Sequence, residues 1–374
     1  MQISVSKTDL YRGLRWVQGI VERKSTSPSL VNVLLSATGK NSLEISATDL
    51  TVSLTGRIPS IVSRQGSIVV NAKKAFEIVN TLPDGEIILE SLEKNRLNIK
   101  CAKIEFKLHG ASQSEFPTLP KLTSVKVIQL KRELLEGMIS KTLYAASNEE
   151  MQRTLNGVLF EQDENGRIRM VATDGHRLAL VESALKDGKS EITKVVIPRK
   201  GLTETKKVMT DSEEDIELGF LPNHVIFNTK EATLSCKLLE GKFPNYEQVI
   251  PQESTRSIKV GRNALLDSMK RMSILSADHS NIIVMKMSGG KLEVSSVDPS
   301  AGEGKEEIPI EYSETPMSVG LNARYFIEAL NAMDSEEVKV EFVDELSAIS
   351  LKPEMKEKDE KYNKHVCVIM PVRL

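Results

Sequence analysis

The 374-residue sequence predicts an α+β fold made of three copies of one unit, each combining antiparallel sheets with two helices. Three observations predict it. The length exceeds what one hydrophobic core usually serves, and a domain size of roughly 100 to 150 residues divides it into about three. A set of strand and helix patterns recurs at a nearly constant interval, the mark of an internal repeat. Each interval also holds many short alternating apolar segments and only two helical ones, which favours antiparallel sheets over a doubly wound parallel sheet.

The elements of the repeat keep one order. Ile3-Ser4-Val5 opens the first copy, with Leu10, Leu14 and Val17 behind it at helical spacing; Val127-Ile128 precedes Leu134, Leu135, Met138 and Ile139; Ile258-Lys259-Val260 precedes Leu265, Leu266, Met269 and Met272. Next comes an acidic turn between alternating segments, at Thr48-Asp49, Thr173-Asp174 and Val297-Asp298, with the aspartates 125 and 124 residues apart. A strand entering a second helix follows at Val69 to Lys74, Val195 to Lys200 and Val319 to Arg324. Within the first copy, Glu86 to Glu90 and Arg96 to Lys100 read as a strand pair around a turn at Glu93-Lys94-Asn95. Pro-bearing segments, Phe116 to Pro120 and Phe243 to Pro251, close the first and second copies. The domains are therefore set at 1–125, 126–253 and 254–374.

Composition narrows the function. With 40% hydrophobic and 27% charged residues the chain is ordinary for a soluble globular protein, and no apolar run approaches the roughly 18 residues of a membrane span. The N-terminal Met1 to Lys7 has no apolar stretch behind a basic one, so a cytoplasmic protein without membrane attachment is expected. Cys101, Cys236 and Cys367 are odd in number and far apart, and His109, His176, His224, His279 and His365 show no metal spacing. No disulfide framework, metal or other cofactor is expected.

The formal net charge of −2 conceals an asymmetry. The six helical segments, 7–24, 71–80, 131–144, 198–208, 261–275 and 322–333, carry 18 basic and 8 acidic side chains, which leaves −12 for everything else. Amphipathic helices bury one stripe and expose the other, so Arg12, Arg15, Lys24, Lys73, Lys74, Arg199, Lys200, Lys207, Lys270 and Arg271 gather on the helical layer. Lys and Arg suit phosphates met without base preference, and no finger or arginine-rich motif provides base readout. Six helices about 10 Å wide closed side by side leave a hole of only about 9 Å, whereas twelve leave about 28 Å, enough for a duplex roughly 20 Å across. One chain cannot encircle double-stranded DNA; a closed homodimer can.

The motifs Ala172-Thr173-Asp174-Gly175-His176-Arg177-Leu178-Ala179, Val196-Ile197-Pro198-Arg199-Lys200-Gly201, Phe243-Pro244-Asn245-Tyr246 and the terminal Met370-Pro371-Val372-Arg373-Leu374, with the repeat around them, resemble the bacterial sliding clamp, the β subunit of the replicative DNA polymerase III. The resemblance covers the whole chain. It implies a head-to-tail ring of two chains, helices lining the hole, that holds polymerase on DNA and catalyses nothing. It also implies a pocket between the second and third domains for short peptide motifs of the polymerase III catalytic subunit, the clamp loader, other polymerases and repair proteins. The matching positions are Leu155, Thr173, Gly175, His176, Arg177, Leu178, Pro244, Val249, Val368, Met370, Pro371, Val372, Arg373 and Leu374. An apolar trough with a few polar rims is what a short extended peptide needs. For DNA the resemblance points to Lys24, Arg199 and Lys200, which join Arg12, Arg15 and Lys73 from the charge pattern. For the subunit interface, Lys74 and Phe106 are expected to face Ile274, Leu275 and Glu303.

Rival chemistries lack their parts. Asp174 and His176 stand two residues apart across a tight turn, and no Gly-x-Ser-x-Gly accompanies them. Gly188-Lys189-Ser190 lacks the upstream glycine of a phosphate loop, since position 183 is Ser183. The remaining alternative is a sequence-independent DNA-binding module that does not form a ring.

Overall fold

The computed structural model describes the chain except for residues 23–27, 120–126, 150, 153, 186–191, 211–213, 277–280, 355–361 and 374. It contains six α-helices among the described residues: α1 (Lys7–Val17), α2 (Ala72–Thr81), α3 (Arg132–Thr142), α4 (Arg199–Thr210), α5 (Arg262–Ser276) and α6 (Ala323–Asn331). Each follows directly on a strand, so every copy of the repeat has its two helices. Three of the starts are capped by side chains that accept from amides lacking a helical partner: Ser6 Oγ accepts from Asp9 N at 3.0 Å, Asn71 Oδ1 from Lys74 N at 2.9 Å and Asn322 Oδ1 from Arg324 N at 3.0 Å. None of the helices is long and apolar enough to cross a membrane.

The chain divides into two units, Met1–Glu136 with Lys200–Leu238, and Gly137–Arg199 with Leu239–Leu374. The first is built on a 13-stranded sheet, with strands in the order Val127–Leu130, Ile216–Leu221, His224–Asn228, Ala232–Lys237, Val52–Pro59, Ser42–Thr48, Asn32–Ala37, Gly66–Asn71, Ile104–Ala111, Arg96–Cys101, Glu86–Leu92, Gln2–Ser6 and Ile61–Arg64. The second holds an 8-stranded sheet, Thr193–Pro198, Gly157–Gln162, Arg167–Thr173, Arg177–Ala184, Lys364–Ile369, Ile349–Pro353, Glu337–Phe342 and Arg256–Gly261. It also holds a 4-stranded sheet, Gly302–Pro309, Lys291–Asp298, Ile282–Ser288 and Met317–Asn322. All the pairings in these sheets are antiparallel. The expected pair 86–90 and 96–100 forms, turning through Lys94 and Asn95 at φ 58° and 51°.

The copies are joined by strand pairing. Ala232–Lys237 lies against Val52–Pro59 with Leu234 opposite Leu54, and Lys364–Ile369 lies against Arg177–Ala184 with Cys367 opposite Ala179. In both places the strand that leaves an aspartate turn meets the last strand of the following copy. The turns repeat down to their hydrogen bonds. Asp49 Oδ1 accepts from the amides of Thr51 and Val52 at 2.8 and 2.6 Å, Asp174 Oδ1 from His176 and Arg177 at 3.0 Å each, and Asp298 Oδ1 from Ser300 and Ala301 at 2.7 and 2.9 Å. A short carboxylate that captures the amides two and three residues on fixes such a turn.

The cores are aliphatic, with Trp16, Phe160, Phe326 and Phe342 the largest fully buried side chains. Cys101, Cys236 and Cys367 are free and buried, and burial pushes the Cys236 thiol up to about 12. Among polar side chains within the sheets, Glu341 is bonded to three neighbours. Lys352 Nζ lies at 2.6 Å, Lys339 Nζ at 2.9 Å and Ser350 Oγ at 2.8 Å. Burial alone would raise this carboxyl; the bonds from Lys352, Lys339 and Ser350 outweigh it and hold it at about 2. A depressed carboxyl contributes stability that is fully present above its unfolded value near 4.5 and lost as pH falls toward about 2. Glu341→Gln should therefore lower the unfolding free energy by about 1 to 2 kcal/mol at pH 7. In thermal melts of the two proteins, that difference should close as pH falls from 4.5 to 2.

Candidate functional site

The residues singled out by the terminal motifs meet within the second unit. Leu178 pairs with Val368 and Arg177 with Ile369 in adjacent strands. Leu178 and Val368 belong to a buried cluster with Leu159, Val171, Leu180, Val196, Phe243, Tyr246, Ile250 and Val366, against which Leu155 and Leu239 pack half-buried. Pro244 and Val249 are exposed beside the cluster members Phe243 and Ile250. Met370, 37% exposed, donates its amide to His176 O at 2.9 Å, and Val372 donates to Gly320 O at 2.8 Å. The result is an apolar floor bordered by exposed aliphatic side chains and by the Asp174 turn. Gly175 turns there at φ 88°, where a side chain is disfavoured, with nothing within 4 Å of where its Cβ would stand. His176 is exposed and stacks on Tyr325, ring centroids 6.4 Å apart. Half-buried Pro371 and exposed Arg373 follow in the terminal segment; Leu374 lies outside the described residues.

Arg177 and Thr173 are turned inward. Thr173 Oγ1 donates to Arg177 O at 2.6 Å. The Arg177 side chain, only 6% exposed, donates to Asp174 Oδ2 at 3.0 Å, to Tyr144 O at 2.7 Å and to Glu328, and its guanidinium lies 4.6 Å from the ring centre of Tyr325 and 5.3 Å from that of Tyr144. Burial alone would raise the Glu328 carboxyl; hydrogen bonds from Arg177 and Arg324 hold it below the ordinary range. Burial pushes the Tyr144 hydroxyl well up, reinforced by the neighbouring Cys367. Arg177 thus ties the Asp174 turn, α6 and the 3₁₀ turn Leu143–Ala145 together behind the groove.

The basic residues fall into two groups. Arg15, Lys73 and Lys74 are exposed, Lys73 and Lys74 sharing Glu77 at 3.8 and 3.1 Å. Arg12 lies over Trp16 and pairs with Asp9 at 3.3 Å and Glu231 at 3.2 Å. Arg199 Nη1 donates to the carbonyls of Leu143 and Ala146 at 2.8 and 3.1 Å, and burial lowers its pKa. Lys200 donates to Asp49 and to Ile20 O. Of the basic residues expected on the helical layer, Arg12, Lys73, Lys74, Arg199, Lys200, Lys207, Lys270 and Arg271 are thus also spent on the fold's own acceptors. Lys24 lies outside the described residues. Of the interface candidates, Ile274 is 76% and Phe106 38% exposed, Glu303 is exposed and Leu275 half-buried.

Sequence reasoning left out Tyr144, Tyr325 and Glu328, which hold Arg177, and Leu239, which bridges to Val196 at the floor. Phe243 and Tyr246 mark a boundary and belong to a family motif, and two aromatics around a proline after a strand are also a packing signal. Among the described residues no group of three or more His, Cys, Asp or Glu could hold a metal ion.

Three family models match the chain in order: the DNA polymerase III beta subunit N-terminal domain over residues 1–120, its central domain over 129–245 and its C-terminal domain over 247–373. The beta sliding clamp of Pseudomonas putida is 32% identical over 375 residues, covering 100% of both chains. That of Caulobacter vibrioides is 31% identical, over 93% of this chain and 94% of its own. Among solved structures, the sliding clamp of Pseudomonas aeruginosa bound to griselimycin matches with a TM-score of 0.91 at 30% identity over 100% of both chains. The sliding clamp of Bacillus subtilis matches with a TM-score of 0.92 at 27% identity, over 100% of this chain and 99% of that one. Three clamp domains in sequence, the antiparallel architecture and full-length identity to the clamps agree: the chain belongs to the DNA polymerase III beta subunit family, the beta sliding clamps.

Proposed function

We propose that two copies of the chain, each with domains at 1–125, 126–253 and 254–374, close into a ring around duplex DNA. The ring acts in the cytoplasm as a processivity factor, without catalysis of its own, and tethers polymerases and repair proteins by short peptides. One observation carries this reading. In both junctions within the chain, the strand after an aspartate turn is covered by the last strand of the next copy, whereas the third such strand, Gly302–Pro309, ends its sheet and pairs on one side only among the described residues. The strand it would need, Ile104–Ala111, pairs along one side with Arg96–Cys101 and on the other only at Gly110 and Ala111. An unpaired edge invites another strand, and a head-to-tail contact that repeats with closure gives a ring. Lys74, Phe106, Ile274, Leu275 and Glu303 belong to that junction.

The excess of +10 on the helical segments supports DNA within the ring. Contact with phosphates falls first to the exposed Arg15 and Lys73, with Lys24 assigned beside them from the sequence, while the half-buried Arg12, Arg199 and Lys200 add field. A clamp holds by linkage, so topology is the test. After loading by a clamp loader, the protein should remain on nicked circular DNA and run off linear DNA of the same length; equal retention on both would support a non-ring binding module instead.

The apolar surface of Leu155, Leu178, Pro244, Val249, Val368 and Met370 to Arg373 suits an extended peptide with one or two apolar anchors, and Leu374, outside the described residues, is assigned to it from the terminal motif. Deleting Val372 to Leu374 should abolish binding of a fluorescent clamp-binding peptide while sedimentation still shows a folded dimer. Arg177 serves this groove from behind. Arg177→Ala leaves Asp174 without its cation and Glu328 with Arg324 alone, and should lower the unfolding free energy by about 3 kcal/mol in denaturant titrations.

A further inference from the structure

The face of the eight-stranded sheet that floors the groove does not stay apolar along its strands. Side chains two residues apart on a strand point to the same face, so successive rungs of paired residues line it. One rung is Val196, Leu159, Val171, Leu180 and Val366, all members of the buried floor cluster. The next, two residues along each strand, is Lys194, Glu161, Arg169, Glu182 and Lys364. Its charges alternate in sign at every step, and opposite charges directly across a strand pair stabilise it. Lys194 Nζ stands 2.6 Å from Glu161. Arg169 lies between Glu161, at 3.6 Å, and Glu182, to which its Nε donates at 2.9 Å.

Tyr246 bridges the two rungs. It opens the 3₁₀ turn Tyr246–Val249, is only 4% exposed, and its ring belongs to the apolar cluster, edge-on to Phe243. Its hydroxyl reaches the charged rung: Oη donates to Glu161 Oε2 at 2.6 Å and accepts from Arg169 Nη1 at 2.8 Å. Burial first, then the bond to Glu161, pushes this hydroxyl up, so it remains a donor to the carboxylate. Glu247 adds a looser pair with Arg169 at 3.5 Å. Among the described residues no main-chain hydrogen bond ties residues 243–250 to the sheet. The segment that carries Pro244 and Val249 is therefore seated on the sheet by its side chains.

We infer that Tyr246, held by Glu161 and Arg169, is a positioning residue of the peptide groove, buried beneath the segment and setting where Pro244 and Val249 stand at its border. The inference rests on the groove proposed above. Packing of Phe243, Tyr246 and Ile250 on the floor is non-directional and presses the segment down without fixing its place along the sheet. The two bonds of the hydroxyl are directional and fix it. Arg169 is itself oriented by Glu182 from the neighbouring strand, so the charged rung is the footing of the anchor. The position matters because a gap of about 1 Å forfeits roughly half the attraction of a van der Waals contact. A border displaced by that much would loosen its hold on an apolar anchor of the peptide.

The test uses the full-length protein and the fluorescent clamp-binding peptide in anisotropy titrations, with methyl NMR of Val249 in the free protein and circular dichroism to confirm folding. Tyr246→Phe keeps the ring and removes only Oη. It should weaken peptide binding about tenfold and shift the Val249 methyl resonances. Glu341→Gln loosens the same sheet away from the segment; it should bind the peptide about as tightly as wild type and leave Val249 unmoved, which separates positioning from a general loss of stability. Wild-type affinity in Tyr246→Phe, an unmoved Val249, or equal weakening in Glu341→Gln would overturn the role of Tyr246 and leave the groove standing. A wild type that does not bind the peptide would overturn the groove itself, and the positioning with it.

Discussion

Main-chain pairing across the ends of the repeated unit is the constraint on which the rest of the structure depends. A strand edge carries unmet amide and carbonyl groups that must find a partner or water. In this chain the edges left by the first two aspartate turns are met by the closing strand of the following copy, at Leu54 with Leu234 and at Ala179 with Cys367. Sheets therefore run on through the boundaries of the repeat instead of stopping at them. This explains why the first unit draws in Lys200–Leu238 although those residues lie far along the chain.

The same constraint places the chemistry. Because the junction strand Arg177–Ala184 is covered by Lys364–Ile369, the carboxyl-terminal segment leaves its sheet beside the Asp174 turn, and Met370 is caught by His176 O. A floor of buried aliphatics with exposed Val249 and Met370 at its border is the by-product of that exit. Arg177 then becomes a strut. Its guanidinium is satisfied by Asp174, Glu328 and Tyr144 O and sandwiched by two tyrosines, and such an arrangement is worth more as orientation of the surrounding elements than as charge offered to a ligand.

Much of this was legible in the sequence, for local reasons. Helices announce themselves by apolar spacing and by Ser6, Asn71 and Asn322 at their starts, and the three turns by an aspartate whose carboxylate captures its own backbone. What was not legible is non-local. Nothing near Arg177 in the chain says that Glu328, 151 residues on, will receive it, nor that Lys200 will be held by Asp49. The spacing of the aspartates also conceals a difference: Asp298 itself faces Gly302, whereas Thr48 faces Ser53 and Thr173 faces Leu178, so the third hairpin is one residue longer than the others. Only pairing reveals that, and without it the copies align one residue out of step.

The pairing of Val52–Pro59 with Ala232–Lys237 also has a consequence in time. Roughly 175 residues are synthesised between the two strands, and at about 5 to 20 residues per second the first waits roughly 10 to 35 seconds for the second. A nascent chain thus carries an open sheet edge through about half of its synthesis. The exposed Arg57 on that strand, paired across to Glu44 at 3.2 Å, is a charge well placed to keep neighbouring nascent chains from settling there first.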